Sequence, residues 1–274
     1  MQSLLLVSDA FDYAQTHERY MLSIRLSPDG LSFCVYNRDT NCVIALFHRD
    51  VLSIDADFRL RKLQDVYKDV QLLNAQYSAT RLFFCVPDRT TVVPDACFKP
   101  ELAAIYHNIA FPSVPDSSVL HAYVTWMNSY AIFDLHTPTL NFLQKQHPSA
   151  VYGHDLLATF DGALADRPWL KATILRNYVI ITALHQSAFY NSFYYETDDD
   201  LLYYILGVAK NQELPHTRIV LSGAVNARSG ICRLLKRYFV QVEIADCQWV
   251  DQFADIRQLP DARFVNLFNS LICE

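Results

Sequence analysis

The chain has 274 residues, a formal net charge of −6 and about 51% apolar residues, with only 6 glycines against 16 tyrosines and 17 phenylalanines. This balance excludes a disordered chain and gives no general attraction for nucleic acid. No run approaches the ~18 apolar residues that cross a bilayer, so no membrane insertion is expected, and the length favours two lobes over a single core.

Leu4 to Val7 is a short apolar run without a basic flank, too short for a signal-peptide core. Tyr20, Leu22, Ile24 and Leu26 alternate with Met21, Ser23 and Arg25, which predicts a half-buried strand. Ser27-Pro28-Asp29-Gly30 is a turn, with proline and glycine where turn geometry wants them. Leu31 to Val35 and Cys42 to Phe47 predict two more strands, separated by the polar turn Asn37 to Asn41, so the segment reads as an antiparallel meander. Leu60, Leu63, Val66, Val70, Leu73 and Tyr77 recur at helical spacing. Leu82 to Val86 is apolar on both faces and suits a central strand. The order is β-β-β-α-β.

Residues 88–154 are punctuated by Pro94, Pro100, Pro112, Pro115, Pro138 and Pro148. Here the pattern predicts helices near Lys99–Asn108 and Pro138–Gln146, and strands near Val119–Met127 and Tyr130–Leu135. The opening order then recurs. Leu170–Leu175, Tyr178–Leu184 and Ser187–Tyr195 read as strands. Thr197 caps a helix whose first turn holds Asp198, Asp199 and Asp200, and whose apolar face holds Leu201, Ile205 and Val208. Ile219–Leu221 is a strand, followed by a helix over Ala227–Tyr238, a strand over Phe239–Ile244 and a closing helix over Asp261–Leu271. Two copies of one element order, offset by about half the chain, argue for internal duplication.

The strings Leu22-Ser23-Ile24, Phe33-Cys34-Val35-Tyr36-Asn37, Asn191-Ser192-Phe193, Asp200-Leu201-Leu202-Tyr203-Tyr204-Ile205-Leu206 and Leu221-Ser222-Gly223 make the chain resemble a bacterial family of unknown function, DUF3822. The repeated β-β-β-α-β-α-β order is similar to the actin-like ATPases, where nucleotide binds between two ribonuclease-H-like lobes. The resemblance implies an α/β fold of two such lobes with mixed sheets flanked by helices. It implies an N-terminal lobe over residues 1–165, carrying an irregular insertion, and a C-terminal lobe over residues 166–274. The DUF3822 family brings no established activity.

The actin-like pattern also implies where a nucleotide site belongs. Active members place an Asp and a glycine-rich turn between the first two strands of lobe one. The stretch here is Ser27-Pro28-Asp29-Gly30, where Asp-x-Gly spacing is absent and Pro28 has no N–H to donate. The equivalent turn of lobe two is Leu175-Arg176-Asn177-Tyr178, without glycine or acid. The third element, a Gly-Gly pair after a strand, is reduced to Ser222-Gly223. Charge-assisted phosphate contacts are each worth roughly 1.5–3 kcal/mol, so losing several weakens binding by orders of magnitude. The candidate site is therefore a remnant cleft of Ser27, Asp29, Gly30, Arg176, Asn177, Ser222 and Gly223, with no catalytic residue, no metal and no cofactor. The function expected is a non-catalytic binding or scaffold protein with degenerate nucleotide loops. The alternative is a kinase or ATPase that binds Mg-ATP in the cleft, with Asp29 as the metal acid and Gly223 near the base.

Other features have simpler readings. The three aspartates after Thr197 face a helix N-terminus, which accounts for them without a metal. His147 and His154 lie seven apart across a predicted loop. Arg228, Arg233, Lys236 and Arg237 read as a solvated helix face. The aromatics Phe189, Phe193, Tyr194, Tyr195, Tyr203 and Tyr204 pack a core, or in part face a protein partner. An unidentified protein partner is expected, with a homodimer left open. The seven cysteines are odd in number and form no C-x-x-C pair, which fits a reducing, cytoplasmic compartment.

Overall fold

The structure is a computed structural model and describes residues 3–51, 55–159, 168–214, 218–246 and 262–273. In chain order its elements are β1 (Ser3–Val7), α1 (Thr16–Arg19), β2 (Tyr20–Ser27), β3 (Gly30–Asn37), β4 (Cys42–Asp50), α2 (Ala56–Asp69), β5 (Ala79–Phe84), β6 (Thr90–Pro94), α3 (Ala103–Ala110), β7 (Ser117–Val124), β8 (Ser129–His136), α4 (Thr137–Gln146) and β9 (Val151–His154). Then follow β10 (Trp169–Ile174), β11 (Tyr178–Leu184), β12 (Ala188–Tyr194), α5 (Asp198–Asn211), β13 (Arg218–Gly223), α6 (Gly230–Leu235), β14 (Gln241–Ile244) and α7 (Val265–Asn269).

The first sheet has the order β1-β4-β3-β2-β5-β9 and the second β12-β11-β10-β13-β14. Apart from the extra β1 at one edge, the two orders are the same. In each, three strands form an antiparallel meander, and the first of them then pairs in parallel with the strand after the helix. That strand pairs in parallel with the last one, β9 or β14. The duplication read from element order is thus present in strand topology.

The β2 strand differs from its sequence reading. The alternation predicts one solvent-facing side, yet Met21, Ser23 and Arg25 are all buried. The reason is a second covering layer. One face packs α2 through Leu63, Val66 and Tyr67 against Leu22, Ile24 and Phe33. The other face receives the C-terminal segment, where Phe264, Leu267 and Phe268 pack on Met21, Cys34 and Leu46. Residues 262–271, expected in the C-terminal lobe, therefore cover the sheet of the first. The expected boundary at 165/166 and Asp261 lie outside the described residues.

The helical spacing that runs to Tyr77 also overshoots. Val70 is extended, and the helix ends at Asp69. Leu72 and Leu73 continue in a short 3-10 turn over Gln71–Asn74. They pack on the same core, so the apolar pattern persists after the helix has stopped. Strands β1, β6 and β9 are additions, the last lying where a loop was predicted. The expected strand to Met127 ends at Val124 and turns into a 3-10 turn over Thr125–Met127. The expected helix over Ala227–Tyr238 is shorter, Gly230–Leu235.

Residues 88–146 form an ordered insertion between β5 and β9, a three-stranded antiparallel sheet of order β6-β8-β7 with α3 and α4. It is anchored on both sides. Phe133, Leu135, Leu140 and Leu143 join the core of the first sheet. Trp126 meets Trp169 at the start of β10, with ring centroids 5.2 Å apart.

Candidate functional site

The seven residues of the remnant cleft lie at the two meander hairpins and at the end of β13, and the hairpins touch. Asp29 Oδ1 accepts a hydrogen bond from the Arg176 backbone N–H at 3.0 Å. In the actin-like arrangement phosphates would lie between these tips. Here one turn's acid is bonded to the other turn's backbone. Ser27 is buried, with its hydroxyl on Gly30 O at 3.4 Å. Asn177 O accepts from Tyr195 N–H at 3.0 Å, and the Tyr195 hydroxyl donates to Leu175 O at 2.5 Å. The lobe-two turn is thereby tied to β12. Ser222 is buried and shares a 2.8 Å hydroxyl–hydroxyl bond with Thr173. The side chains of Arg176 and Asn177 are exposed.

The two glycines are held by protein. Gly223 has φ +89, and a Cβ there would stand 2.0 Å from Ile174 O. Ile174 O also accepts from Ala224 N–H at 2.7 Å. The β13 end is pressed against β10 and presents its backbone to protein. Gly30 has φ +145, and its Cβ would meet Arg49 O at 2.2 Å. Both positions need glycine for the packing of strand ends, since left-handed or mirror-β backbone without a side chain is what glycine supplies.

Behind the hairpins the lobes meet through side chains. Cys85 of the first lobe packs with Leu175 and Ile180 of the second, flanked by Tyr178 and Tyr190. The Ser192 hydroxyl donates to Pro87 O across the same boundary. Deeper lies a buried polar chain. Arg25 Nε and Nη2 bond Asp155 Oδ1 and Oδ2 at 2.6 and 2.9 Å. Asn266 Nδ2 donates to Asp155 Oδ2 at 2.8 Å. Lys171 Nζ, from β10, donates to Thr159 O at 2.9 Å and to Asn266 Oδ1 at 3.3 Å. Burial alone would lower the Arg25 pKa, but the Asp155 carboxylate outweighs it and holds the guanidinium charged. Burial alone would raise the Asp155 pKa, and Arg25 and Asn266 bring it below the ordinary carboxylate range. Burial pushes the Cys85 thiol well up, with Asp155 adding to it, so it is a poor nucleophile.

Sequence reasoning missed Arg25, Asp155, Lys171 and Asn266. Arg25 and Lys171 fall at positions that look like the polar phase of a strand; Asp155 lies 130 residues from Arg25 and Asn266 95 residues from Lys171, with only Thr159 close to Lys171 in sequence, 12 residues away. One signal was present: a cation inside an otherwise apolar strand, which needs a partner if buried.

The simpler readings fare as follows. Thr197 caps α5, with a reciprocal bond from its own N–H to Asp200. His147 Nε2 is bonded to the Tyr67 hydroxyl at 2.9 Å, and His154 Nε2 to Thr90 Oγ1 at 3.0 Å. Among the described residues no group of three or more His, Cys, Asp or Glu could hold a metal ion. Arg228, Arg233, Lys236 and Arg237 are exposed. Phe189, Phe193, Tyr195 and Tyr204 pack on the second core, whereas Tyr194 and Tyr203 are 51% and 74% exposed. Among the described residues no helix is long and apolar enough to cross a membrane.

Residues 9–242 match the family described as "Protein of unknown function (DUF3822)". No curated protein matches the chain. Solved structures do. A Bacteroides thetaiotaomicron protein with actin-like ATPase fold and unknown function is 22% identical, with 96% of this chain and 99% of that chain covered and a TM-score of 0.80. The PilM–PilN type IV pilus biogenesis complex gives 12% identity, 91% and 96% coverage and a TM-score of 0.60. The cytoplasmic domain of EpsL, an inner membrane component of the type II secretion system of Vibrio cholerae, gives 11% identity, 93% and 96% coverage and a TM-score of 0.50. At such identities the likeness shows the fold, which is that of the actin-like ATPases.

Proposed function

We propose that this chain, which belongs to the DUF3822 family of proteins of unknown function, is a non-catalytic binding or scaffold protein in which the ancestral nucleotide cleft is closed by protein contacts. The observation that carries this reading is the direct bond between Asp29 and the Arg176 backbone. It is supported by the Cys85, Leu175 and Ile180 cluster that fills the space behind the hairpins. A triphosphate with its magnesium would have to separate the two tips and displace that cluster. Exposing such apolar surface costs about 25 cal/mol per Å², and the turns offer neither Asp-x-Gly spacing nor a glycine pair in return.

The partner proposed is a protein. Tyr194 and Tyr203 stand exposed on β12 and α5, and exposed tyrosine is a favoured interface residue. PilM is itself found in complex with PilN, which makes a partner-holding role for this fold a natural reading. The compartment proposed is the cytoplasm, because the six described cysteines are all free, three of them buried.

Calorimetric titration with Mg-ATP tests the reading. The expected outcome is no binding heat up to millimolar nucleotide, for wild type and for Asp29→Ala alike. Micromolar affinity in the wild type overturns it and restores the alternative of an ATP-binding enzyme.

A further inference from the structure

A cavity opens within the first lobe, beside the lobe-one hairpin. It has a volume of about 330 Å³ and lies between α2, the ends of β5 and β8, and the loop before β7. That size is in the range of small-molecule sites. Its walls are mostly apolar, with Leu26, Leu63, Phe84, Val114 and Leu135 among them.

Two arginines line it, and they differ. Arg89 is committed: its Nε bonds both oxygens of Asp134 at 2.6 and 2.8 Å. Asp134 is in turn saturated by the Ser117 hydroxyl at 2.5 Å and faces His107 at 3.6 Å. Arg59, from α2, has a single long bond to Ser27 O, 3.5 Å from Nη2. Among the described residues no ion pair to it is formed. Burial lowers its pKa, with the Asp88 charge acting the other way. A half-buried guanidinium keeps a strong demand for an anion, which a bidentate oxyanion satisfies best.

The rim narrows the choice of ligand. Asp88 and Asp116 are exposed at the mouth. Asp88 acts on Arg59 itself, so the rim disfavours a polyanion, whose several charges meet both acids, more than a single charge that Arg59 offsets. We propose that this cavity binds a small organic monoanion with an apolar body, its acidic group on Arg59 and its body against Leu63, Phe84 and Leu135. The site borders the closed cleft through Cys85 and the Ser27 carbonyl but uses no part of the Asp29–Arg176 bond, so carboxylate binding and the Mg-ATP titration are separate readouts.

The test uses hexanoate and benzoate as probes, with hexanamide and benzamide as uncharged counterparts of the same shape. Binding is followed by chemical-shift changes at the Leu63 and Leu135 methyl groups. The expected result is saturable binding of an acid, with its amide at least tenfold weaker. Charge-assisted bonds of this kind correspond to about a tenfold to hundredfold change, so Arg59→Gln loses the acid by that factor. Val114→Trp, at an exposed position on the mouth, blocks acid and amide alike and leaves Arg59 in place. The proposal is overturned if neither acid binds, if acid and amide bind equally, or if Arg59→Gln binds the acid as wild type does.

Discussion

At the scale of the residue, Gly223 shows how a motif can survive for a reason other than its ancestral one. Glycine at the end of β13 looks like a remnant of nucleotide binding. Its φ of +89 and the 2.0 Å approach of a would-be Cβ to Ile174 O tie it to the β10–β13 junction. Gly223→Ala is expected to destabilise the fold by about 2–4 kcal/mol, from backbone strain plus a clash with fixed backbone. Urea unfolding measures it.

His154 is a second residue whose role is set by its surroundings. Nδ1 accepts from Leu156 N–H at 3.2 Å, so the ring proton sits on Nε2 and is donated to Thr90 Oγ1 at 3.0 Å. Burial lowers its pKa from 6.5 to about 4. Above pH 6.5 it is neutral in both folded and unfolded chains and makes no pH-dependent contribution. Between 6.5 and 4 the unfolded chain takes up the proton and the folded chain does not, so stability falls as pH falls. The loss from this group is on the order of 3 kcal/mol by pH 4, at 1.36 kcal/mol per unit. His147, lowered to about 4 by burial, acts in the same direction. His154→Gln is expected to flatten the melting-temperature profile between pH 6.5 and 4, and an unchanged slope would contradict the assignment.

At the scale of the element, local chemistry and long-range packing divide the outcome between them. The start of α5 is local. Thr197 accepts from Asp200 N–H at 3.2 Å, and the Asp200 carboxylate accepts from the N–H groups of Thr197 and Glu196. Those bonds lower the Asp200 pKa. All partners lie within four residues, which is why the sequence around Thr197 announces the helix. Thr197→Ala is expected to cost about 1 kcal/mol, read from thermal unfolding. The end of α2 is not local in the same way, because Leu72 and Leu73 keep the apolar spacing for the sake of a core that the helix has already left. Strands β6 and β9 are likewise defined by partners. Four residues, Val151–His154, make β9 only because β5 stands ready to pair with them.

At the scale of the whole molecule, the two lobes are joined by a buried chain of polar groups as well as by apolar contact. Lys171 of the second lobe reaches Thr159 O and Asn266 Oδ1, and Asn266 reaches the Asp155 that pairs with Arg25. Removing the ammonium leaves two buried acceptors without this donor, at about 1–3 kcal/mol each. Lys171→Met is therefore expected to destabilise the protein and to speed amide exchange at both hairpins, residues 26–31 and 174–178. Exchange rising in one lobe only would show that the chain does not couple them. Such coupling suits a rigid scaffold, whose hairpins stay together, better than an enzyme that must open and close on each turnover.

How much of this was legible follows the range of the interactions. Strand alternation, turn residues and the Thr197 cap act within a few positions, so the meanders, α5 and the duplicated order could be read from the residues alone. The poverty of glycine and acid in the two hairpins was legible for the same reason. What covers β2 from behind, what Arg25 and Lys171 bond, and why the tips of Asp29 and Arg176 meet were decided only by tertiary structure. Apart from the Lys171 bond to Thr159 O, each joins groups about a hundred residues or more apart, and no local spacing encodes which buried charge finds which partner once water is excluded.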